Sequence, residues 1–346
     1  MKRTIAVLFG GCSSEYDVSL QSAYSVSKAI STENYNRMMI GITREGDWYL
    51  YEGALEWIPK DTWRSKGPCI PAQISLNRQE HGLLIFREGE KECIPLDGVL
   101  PILHGKNGED GTVQGVCELA GIPVIGCGSL ASALCMDKHR AHLLARQAGV
   151  EIPRGICYEA GTSLELIEAE AEGLGYPLFV KPLRAGSSFG ITKVDSREKL
   201  GQAIEQAFAH DSTVIVEELV EGFEVGCAVI GKNQLITGRA DEIELSKGFF
   251  DYTEKYTLKT SQIHMPARVS VATESRIQET AKQIYRALGC SGFARVDMFL
   301  RPDGTLVFNE INTIPGFTSH SRFPNMMKGV GYSFEEVVAL LLEEGL

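Results

Sequence analysis

The chain has 346 residues, 44% of them hydrophobic, and 34 Lys+Arg against 45 Asp+Glu give a net charge of −11. At roughly 150 residues per domain this suffices for two or three globular domains and excludes a disordered tail or a disulfide-stapled mini-domain. The acidic balance repels polyanions, so nucleic acid is not an expected partner. Nine cysteines scattered with no CxxC spacing suit a reducing compartment, with each thiol a small buried hydrophobe. The apolar run at 5–9 is too short for a signal peptide, and no uncharged apolar run approaches the ~20 residues of a membrane helix. A cytoplasmic chain with no membrane partner is expected.

Residues 4–9 (TIAVLF) read as a strand ending in Gly10-Gly11, and 18–30 carries helical spacing. Strand runs recur at 98–103, ending in His104-Gly105, and at 121–125, ending in Gly126-Cys127-Gly128; this alternation predicts an α/β domain over 1–130. A second unit, 131–216, reads as a helix over 137–148, strand FVKP, a Gly/Ser loop, strand ITKV, a helix over 197–210 and strand TVIVEE. A third, 217–346, has strands FEVGCAVIG and LITGRADEIEL, a polar loop, a helix over 274–288, a hairpin and a terminal helix after Ser333. The expected fold class is α/β and α+β, an N-terminal α/β domain followed by two lobes.

In the hairpin ARVDMFLRPDGTLVFNEIN, Asp303-Gly304 predicts a two-residue turn and a register in which paired residue numbers sum to 607. Asp297 then faces Glu310, and Arg295 faces Asn312. Opposed carboxylates repel unless something cationic sits between them, and Asn312 shares the face of Glu310. Three hard oxygen donors on one wall suit Mg²⁺ completed by water and phosphate oxygens. The alternative is an exposed acidic sheet face.

The stretch KPLRAGSSFG (181–190) is a Gly/Ser loop between two strands. Gly186 and Gly190 let the backbone close over a ligand, and Ser187 and Ser188 offer donors to phosphate oxygens. Lys181 and Lys138 supply point charges. It is no Walker A loop, and taken alone it would be an ordinary connection. Glu217, Glu218, Glu221 and Glu224 at a strand end could accept from an adenine amino group or ribose hydroxyls, or form a solvated acidic loop. Gly126-Cys-Gly-Ser-Leu-Ala131 matches the dinucleotide fingerprint GxGxx[GA]. It lies deep in a domain whose own first turn carries Gly10-Gly11 instead, which argues against an NAD-binding dehydrogenase.

FGGCSSEYDVS (9–19), HGKNGEDGTVQG (104–115), MDK (136–138), KPLRAGSS (181–188) and NEINTIPGFTSHS (309–321) resemble, in order and over nearly the whole chain, the motifs of the D-alanine:D-alanine ligase family of ATP-grasp enzymes. The resemblance implies an ATP-grasp architecture with two lobes, 131–216 and 217–346, gripping ATP. It implies a reaction in which a D-alanine carboxylate attacks the γ-phosphate of ATP and a second D-amino acid displaces phosphate from the acylphosphate. ATP, Mg²⁺ (two ions, with Mn²⁺ able to substitute) and a homodimer are implied with it. By motif position, Glu15 holds the first substrate's ammonium, Ser187 links Glu15 to Tyr256, and His104 lies near the first substrate. Arg295 and the Gly316 amide meet the tetrahedral oxyanion, and Ser321 binds the second carboxylate. Lys138, Lys181 and Ser188 hold phosphates and Lys255 reaches the γ-phosphate. Glu217 and Val220 meet adenine, Glu224 meets ribose, and Asp297, Glu310 and Asn312 hold metal. Closure of the loop 246–260 would exclude water.

The loop GFFDYTEKY (248–256) keeps a tyrosine that D-lactate ligases of the resistance type lack. Ordinary D-alanine ligases usually carry an aliphatic residue after the serine that matches Ser321, where this chain has Arg322. Asp241 with Arg322 beside Phe250 would offer an acceptor and a donor to a serine hydroxyl. GFFDYTEKYTLK with TSHSRFPNMMKG most resembles the D-alanine:D-serine ligases of the G type, which make a modified peptidoglycan precursor in vancomycin resistance. The alternative is a D-alanine:D-alanine enzyme in which Asp241 and Arg322 form a structural salt bridge. A catalytically inactive nucleotide-binding module is disfavoured, because Asp297, Glu310, Asn312, Arg295 and Lys181 are all present.

Overall fold

The computed structural model of the chain describes residues 2–186, 190–245 and 261–346. The first unit runs β1 (Arg3–Gly10), α1 (Tyr16–Ala29), β2 (Tyr35–Ile42), β3 (Trp48–Tyr51), α2 (Trp63–Lys66), β4 (Cys69–Ile74), β5 (Gly82–Arg87), β6 (Glu90–Pro95), β7 (Gly98–Pro101), α3 (Thr112–Ala120) and α4 (Ser129–Met136). Its strands form one sheet in the order β6-β5-β4-β3-β2-β1-β7. Both faces of β1 are buried from Ile5 to Phe9, as a central strand with parallel neighbours β2 and β7 requires. The strand alternation expected at the N-terminus therefore holds for β1 and β7 but leaves out β2 to β6, of which β3 to β6 form an antiparallel wing. Residues 121–125, expected as a strand, make one isolated bridge, Val99 to Val124. Pro123 has no amide hydrogen with which to extend a ladder.

The second unit contains α5 (Lys138–Gln147), β8 (Gly155–Glu159), α6 (Leu164–Glu172), β9 (Leu178–Pro182), β10 (Thr192–Val194), α7 (Leu200–Phe208) and β11 (Thr213–Glu218). Its four strands are antiparallel in the order β10-β9-β11-β8. The third contains β12 (Phe223–Gly231), β13 (Leu235–Thr237), β14 (Asp241–Leu245), β15 (Ser261–His264), α8 (Val271–Ala287), β16 (Phe293–Leu300), β17 (Leu306–Asn312), α9 (Arg322–Lys328) and α10 (Phe334–Gly345). Its sheet runs β15-β14-β12-β16-β17, with β13 also on β12. The stretch 235–245, expected as one strand, breaks between β13 and β14 because the Arg239 amide donates to the Met326 carbonyl at 3.0 Å, tying the chain to α9.

The hairpin β16–β17 pairs Arg295 with Asn312 and Asp297 with Glu310, as expected. It does so by another route. Near the tip the pairs are Leu300–Leu306 and Met298–Phe308, one residue out of the expected register, and Arg301 and Thr305 close a three-residue loop with Gly304 at φ +86°. An extra residue in β17, Asn309, forms a bulge that restores the register at the acidic pair.

The N-terminal domain and the last lobe share one hydrophobic core. Val7, Phe9, Leu20 and Val26 join Phe293, Phe317, Phe323, Val337 and Leu341 in a single buried cluster. The turn that follows β17 is anchored there by Phe317, whose ring sits 5.7 Å from Phe293 and 5.4 Å from Phe323.

Candidate active site

A cavity of 490 Å³ opens between the four-stranded sheet and the last sheet, lined by Lys138, Lys181, Glu217, Val220, Glu224 and Glu310 among others. Six of the residues expected to meet ATP or metal thus share one wall system. Glu217 is fully buried and takes a bond from Lys181 Nζ at 2.6 Å, with His142 Nδ1 3.3 Å from its other oxygen. Burial alone would raise the Glu217 pKa, but the Lys181 charge and its hydrogen bond, aided by the neighbouring His142, outweigh it and hold the carboxyl below its ordinary value. Lys181, expected at the phosphates, is therefore closed onto the carboxylate expected at adenine. Strands β9 and β11 are neighbours, and Lys181 pairs with Ile215, two residues before Glu217. Lys138 donates to the Ala185 carbonyl at 2.7 Å, so its charge lies beside the Ala185-Gly186 backbone.

Asp297 is buried and held by four donors. Arg295 Nε is 2.9 Å and Nη2 2.6 Å from it, Asn312 Nδ2 3.0 Å, and Arg322 Nη2 3.2 Å. Glu310 lies across the strand pair. Among the described residues no group of three or more His, Cys, Asp and Glu side chains is disposed to hold a metal. The expected set instead combines two opposed carboxylates with an amide, hard oxygen donors of the type Mg²⁺ takes alongside phosphate oxygens and water. The fit is in donor chemistry: Asn312 spends only its amide nitrogen on Asp297 and keeps its oxygen, whereas the Asp297 carboxylate has its roughly four lone-pair sites taken by the four donors and would exchange one of them for the ion.

The N-terminal domain brings Glu15 and His104. A side chain on Gly105 would place its Cβ 2.5 Å from Glu15 Oε2, and one on Gly186 would come within 2.9 Å of the same atom. Glycine at both positions lets the buried carboxylate lie between the His104 loop and the start of the phosphate loop. A 30 Å³ cavity then joins Glu109, Lys138, Gly186, Glu310 and Asn312, so the two ends of the site meet. His104 is buried, with Nδ1 2.8 Å from the Ile314 carbonyl and Nε2 3.0 Å from Ser22 Oγ. Burial holds its pKa below the ordinary imidazole value despite the pull of Glu15.

On the far side, Arg322 Nε and Nη2 grip the two oxygens of fully buried Asp241 at 2.7 Å each, and Nη1 reaches Glu224 at 3.0 Å. The ion pair weighed as an alternative is therefore formed, and the two groups do not stand apart as an open donor and acceptor. It also draws in Glu224, expected at ribose. Desolvation works against the Arg322 charge, but Asp241, Asp297 and Glu224 raise its pKa well above the ordinary value. Gly226 makes the room: a Cβ there would overlap Arg322 and come within 2.7 Å of Asp241 Oδ1 and 2.9 Å of Asp297 Oδ1. Ser321 Oγ accepts from the Thr318 amide at 3.0 Å and lies 3.2 Å from where a Gly316 Cβ would be, so Ser321 and Gly316 are neighbours.

Ser187, Ser188, Phe250, Lys255, Tyr256 and the 246–260 loop lie outside the described residues. Three residues at the site escaped the sequence reading. His142 sits one helical turn beyond Lys138 on α5, a spacing that could have flagged it. Glu109 stood unassigned inside HGKNGEDG, and burial, with Glu15 nearby, pushes its carboxyl up to about 8 against the pull of the amides of Gly105 and Ile314. Gly226 leaves no signal, because its role depends on side chains from β14, β16 and α9.

Among the described residues no helix is long and apolar enough to cross a membrane. Residues 4–127 match the family model "D-ala D-ala ligase N-terminus" and residues 154–343 match "D-ala D-ala ligase C-terminus". The chain is 45% identical to the vancomycin B-type resistance protein VanB of Enterococcus faecalis, over 99% of this chain and 98% of that one. It is 40% identical to a D-alanine–D-alanine ligase of Caldicellulosiruptor bescii, over 99% and 96%. The structure is similar to that of the VanG D-Ala:D-Ser ligase from Enterococcus faecalis, with a TM-score of 0.94, 56% identity and 100% of both chains covered. With both halves of the family pattern in place and the acidic hairpin, the cavity between the two sheets and the Glu15–His104 corner meeting in one cleft, the chain belongs to the D-alanine–D-alanine ligase family.

Proposed function

We propose that this ATP-dependent ligase joins D-alanine to D-serine through a D-alanyl phosphate, making a dipeptide for a modified peptidoglycan precursor. The observation that carries the second substrate is the similarity, over 100% of both chains, to a D-Ala:D-Ser ligase, with Arg322 and Asp241 placed beside Asp297. Asp241, which already accepts from Arg322 twice and from the Gly226 amide, keeps one lone pair for a serine hydroxyl.

Glu15 holds the ammonium of the first D-alanine, and its carboxylate faces Gly186. Glu217, Val220 and Glu224 bind adenosine, and Lys138 neutralises phosphate oxygens with Ser188 and Lys255. Asp297, Glu310 and Asn312 would hold Mg²⁺, which when bound would supply neutralising charge to the phosphate oxygens. Arg295 and the Gly316 amide stabilise the oxyanion formed when the second amino group attacks, and Ser321 orients that substrate by its carboxylate. Ser187 and Tyr256 complete the cover over Glu15. We place the enzyme in the cytoplasm as a homodimer; its nine cysteines are all free thiols, in keeping with a reducing compartment.

The test is ATP- and Mg²⁺-dependent phosphate release with D-alanine alone and with D-alanine plus D-serine, products identified by mass. A dominant D-Ala-D-Ser product is expected. A second reading has support from the closed geometry of the Arg322–Asp241 pair and from the C. bescii relative: if D-Ala-D-Ala dominates under excess D-serine, the pair is structural and the enzyme is a D-alanine–D-alanine ligase.

A further inference from the structure

The turn that carries the Gly316 amide is held from the N-terminal domain, and held by its backbone. Ile314 is gripped at both of its polar groups: its N–H donates to Glu109 Oε1 at 3.1 Å, and its carbonyl lies 2.8 Å from His104 Nδ1. Two residues past Pro315, the Phe317 N–H donates to Ser22 Oγ at 3.2 Å. Glu109 is itself fixed by the Gly105 amide at 2.8 Å. Between these anchors Pro315 has no N–H to offer, and the Gly316 amide has no acceptor among the described residues.

The hydrogens on His104 follow from its partners. A carbonyl only accepts, so Nδ1 carries the proton toward Ile314. In the neutral ring Nε2 is then an acceptor, and it takes the Ser22 hydroxyl proton at 3.0 Å. That leaves the Ser22 oxygen lone pairs for the Phe317 amide. Phe317 N–H to Ser22, Ser22 O–H to His104 and His104 N–H to Ile314 form one chain with every donor spent. Both ring nitrogens of His104 are thereby committed to the protein, and the imidazole has no polar atom left for a substrate.

We propose that His104, Glu109 and Ser22 act as a backbone clamp that fixes the 314–317 turn for acyl transfer, with His104 a positioning residue and not a substrate ligand. The inference rests on the ligase reading above, in which the Gly316 amide meets the oxyanion. An oxyanion donor contributes only if it is already aimed when charge develops, so a loosened turn reduces turnover while nucleotide binding stays as it was.

The two amides that can replace imidazole test this, because asparagine places its nitrogen near the Nδ1 position and glutamine near the Nε2 position. In the full-length enzyme with ATP, Mg²⁺, D-alanine and D-serine, His104→Gln is expected to lose about 100-fold in kcat with KM for ATP unaltered. His104→Asn, which keeps a donor for the Ile314 carbonyl, should recover at least tenfold of that loss. Glu109→Gln should fall with His104→Gln, and the double variant should lose little more than either, since both act on Ile314. Equal losses in the Asn and Gln variants, with KM for the first D-alanine raised, would make His104 a substrate ligand and overturn the clamp. So would rates within twofold of wild type in His104→Gln and Glu109→Gln. If His104→Gln does not fold, Glu109→Gln and Ser22→Ala carry the same comparison. Failure of the ligase reading looks different: the wild-type enzyme itself would release no phosphate with any D-amino acid.

Discussion

The two sides of the acyl-transfer site are held by opposite means. At the acidic hairpin the protein holds charges: Asp297 lies among Arg295, Arg322 and Asn312, and Asp241 and Glu224 balance Arg322 in turn. At the 314–317 turn it holds main-chain groups, through a neutral imidazole, a hydroxyl and one carboxyl. Removing a member of the first network strands a buried charge, which is costly. Removing a member of the second leaves a dipole without its partner, which costs less but moves a catalytic donor.

Changes at the charged side should have the largest effects. Glu310→Gln is expected to lower turnover by at least about 1000-fold with little change in melting temperature, because the carboxylate is proposed to serve metal and phosphate chemistry and is not part of the core. Turnover within tenfold of wild type would remove Glu310 from the metal set. Asp241→Asn should destabilise the fold by about 3–5 kcal/mol in chemical denaturation, because Arg322 is left buried against Glu224 and Asp297 alone. The same variant should lower the ratio of D-Ala-D-Ser to D-Ala-D-Ala product.

The pH dependence of stability sharpens the contrast. Burial puts His104 and His142 below their unfolded value of 6.5, so below that pH the unfolded chain binds more protons. The stability these rings contribute is fully present above pH 6.5 and is lost as the pH falls toward their native values. Glu109 has the opposite sign: with its pKa raised from 4.5 to about 8, its contribution is fully present below pH 4.5 and is lost progressively as the pH rises to about 8. The ligand-free enzyme should therefore melt highest near pH 6.5, and Glu109→Gln should flatten the decline between there and about pH 8. The smallest effect expected is from Ser22→Ala, about 1 kcal/mol in denaturation, because Phe317 keeps its aromatic packing when its amide loses a partner.

The motifs that announce chemistry were legible because each lies within a short stretch of chain. The facing of Asp297 and Glu310 was also readable, although two irregularities offset each other to give it: a three-residue loop where two residues were expected, and the bulge at Asn309. A turn signal such as Asp-Gly does not encode a bulge six residues away. The wing strands β3 to β6 went unread because they are short and interrupted by turns. The closed ion pairs were beyond reach for a different reason. Whether Lys181 meets a phosphate or Glu217, and whether Arg322 stands open or locked, depends on three-dimensional neighbours from separate strands. The clamp was hidden in the same way, since its partners at 22, 104, 109, 314 and 317 come from both ends of the chain.

The grip on the 314–317 turn has an evolutionary corollary. It uses the N–H and C=O of Ile314 and the N–H of Phe317, groups every residue but proline can present. The residues proposed to receive the second substrate, Ser321 and Arg322, follow directly, where mutation can change side chains while the preceding backbone stays pinned. A lineage could therefore exchange one acceptor amino acid for another with the catalytic amide unmoved, so the clamp makes specificity a cheap trait to revise and catalysis a hard one to lose.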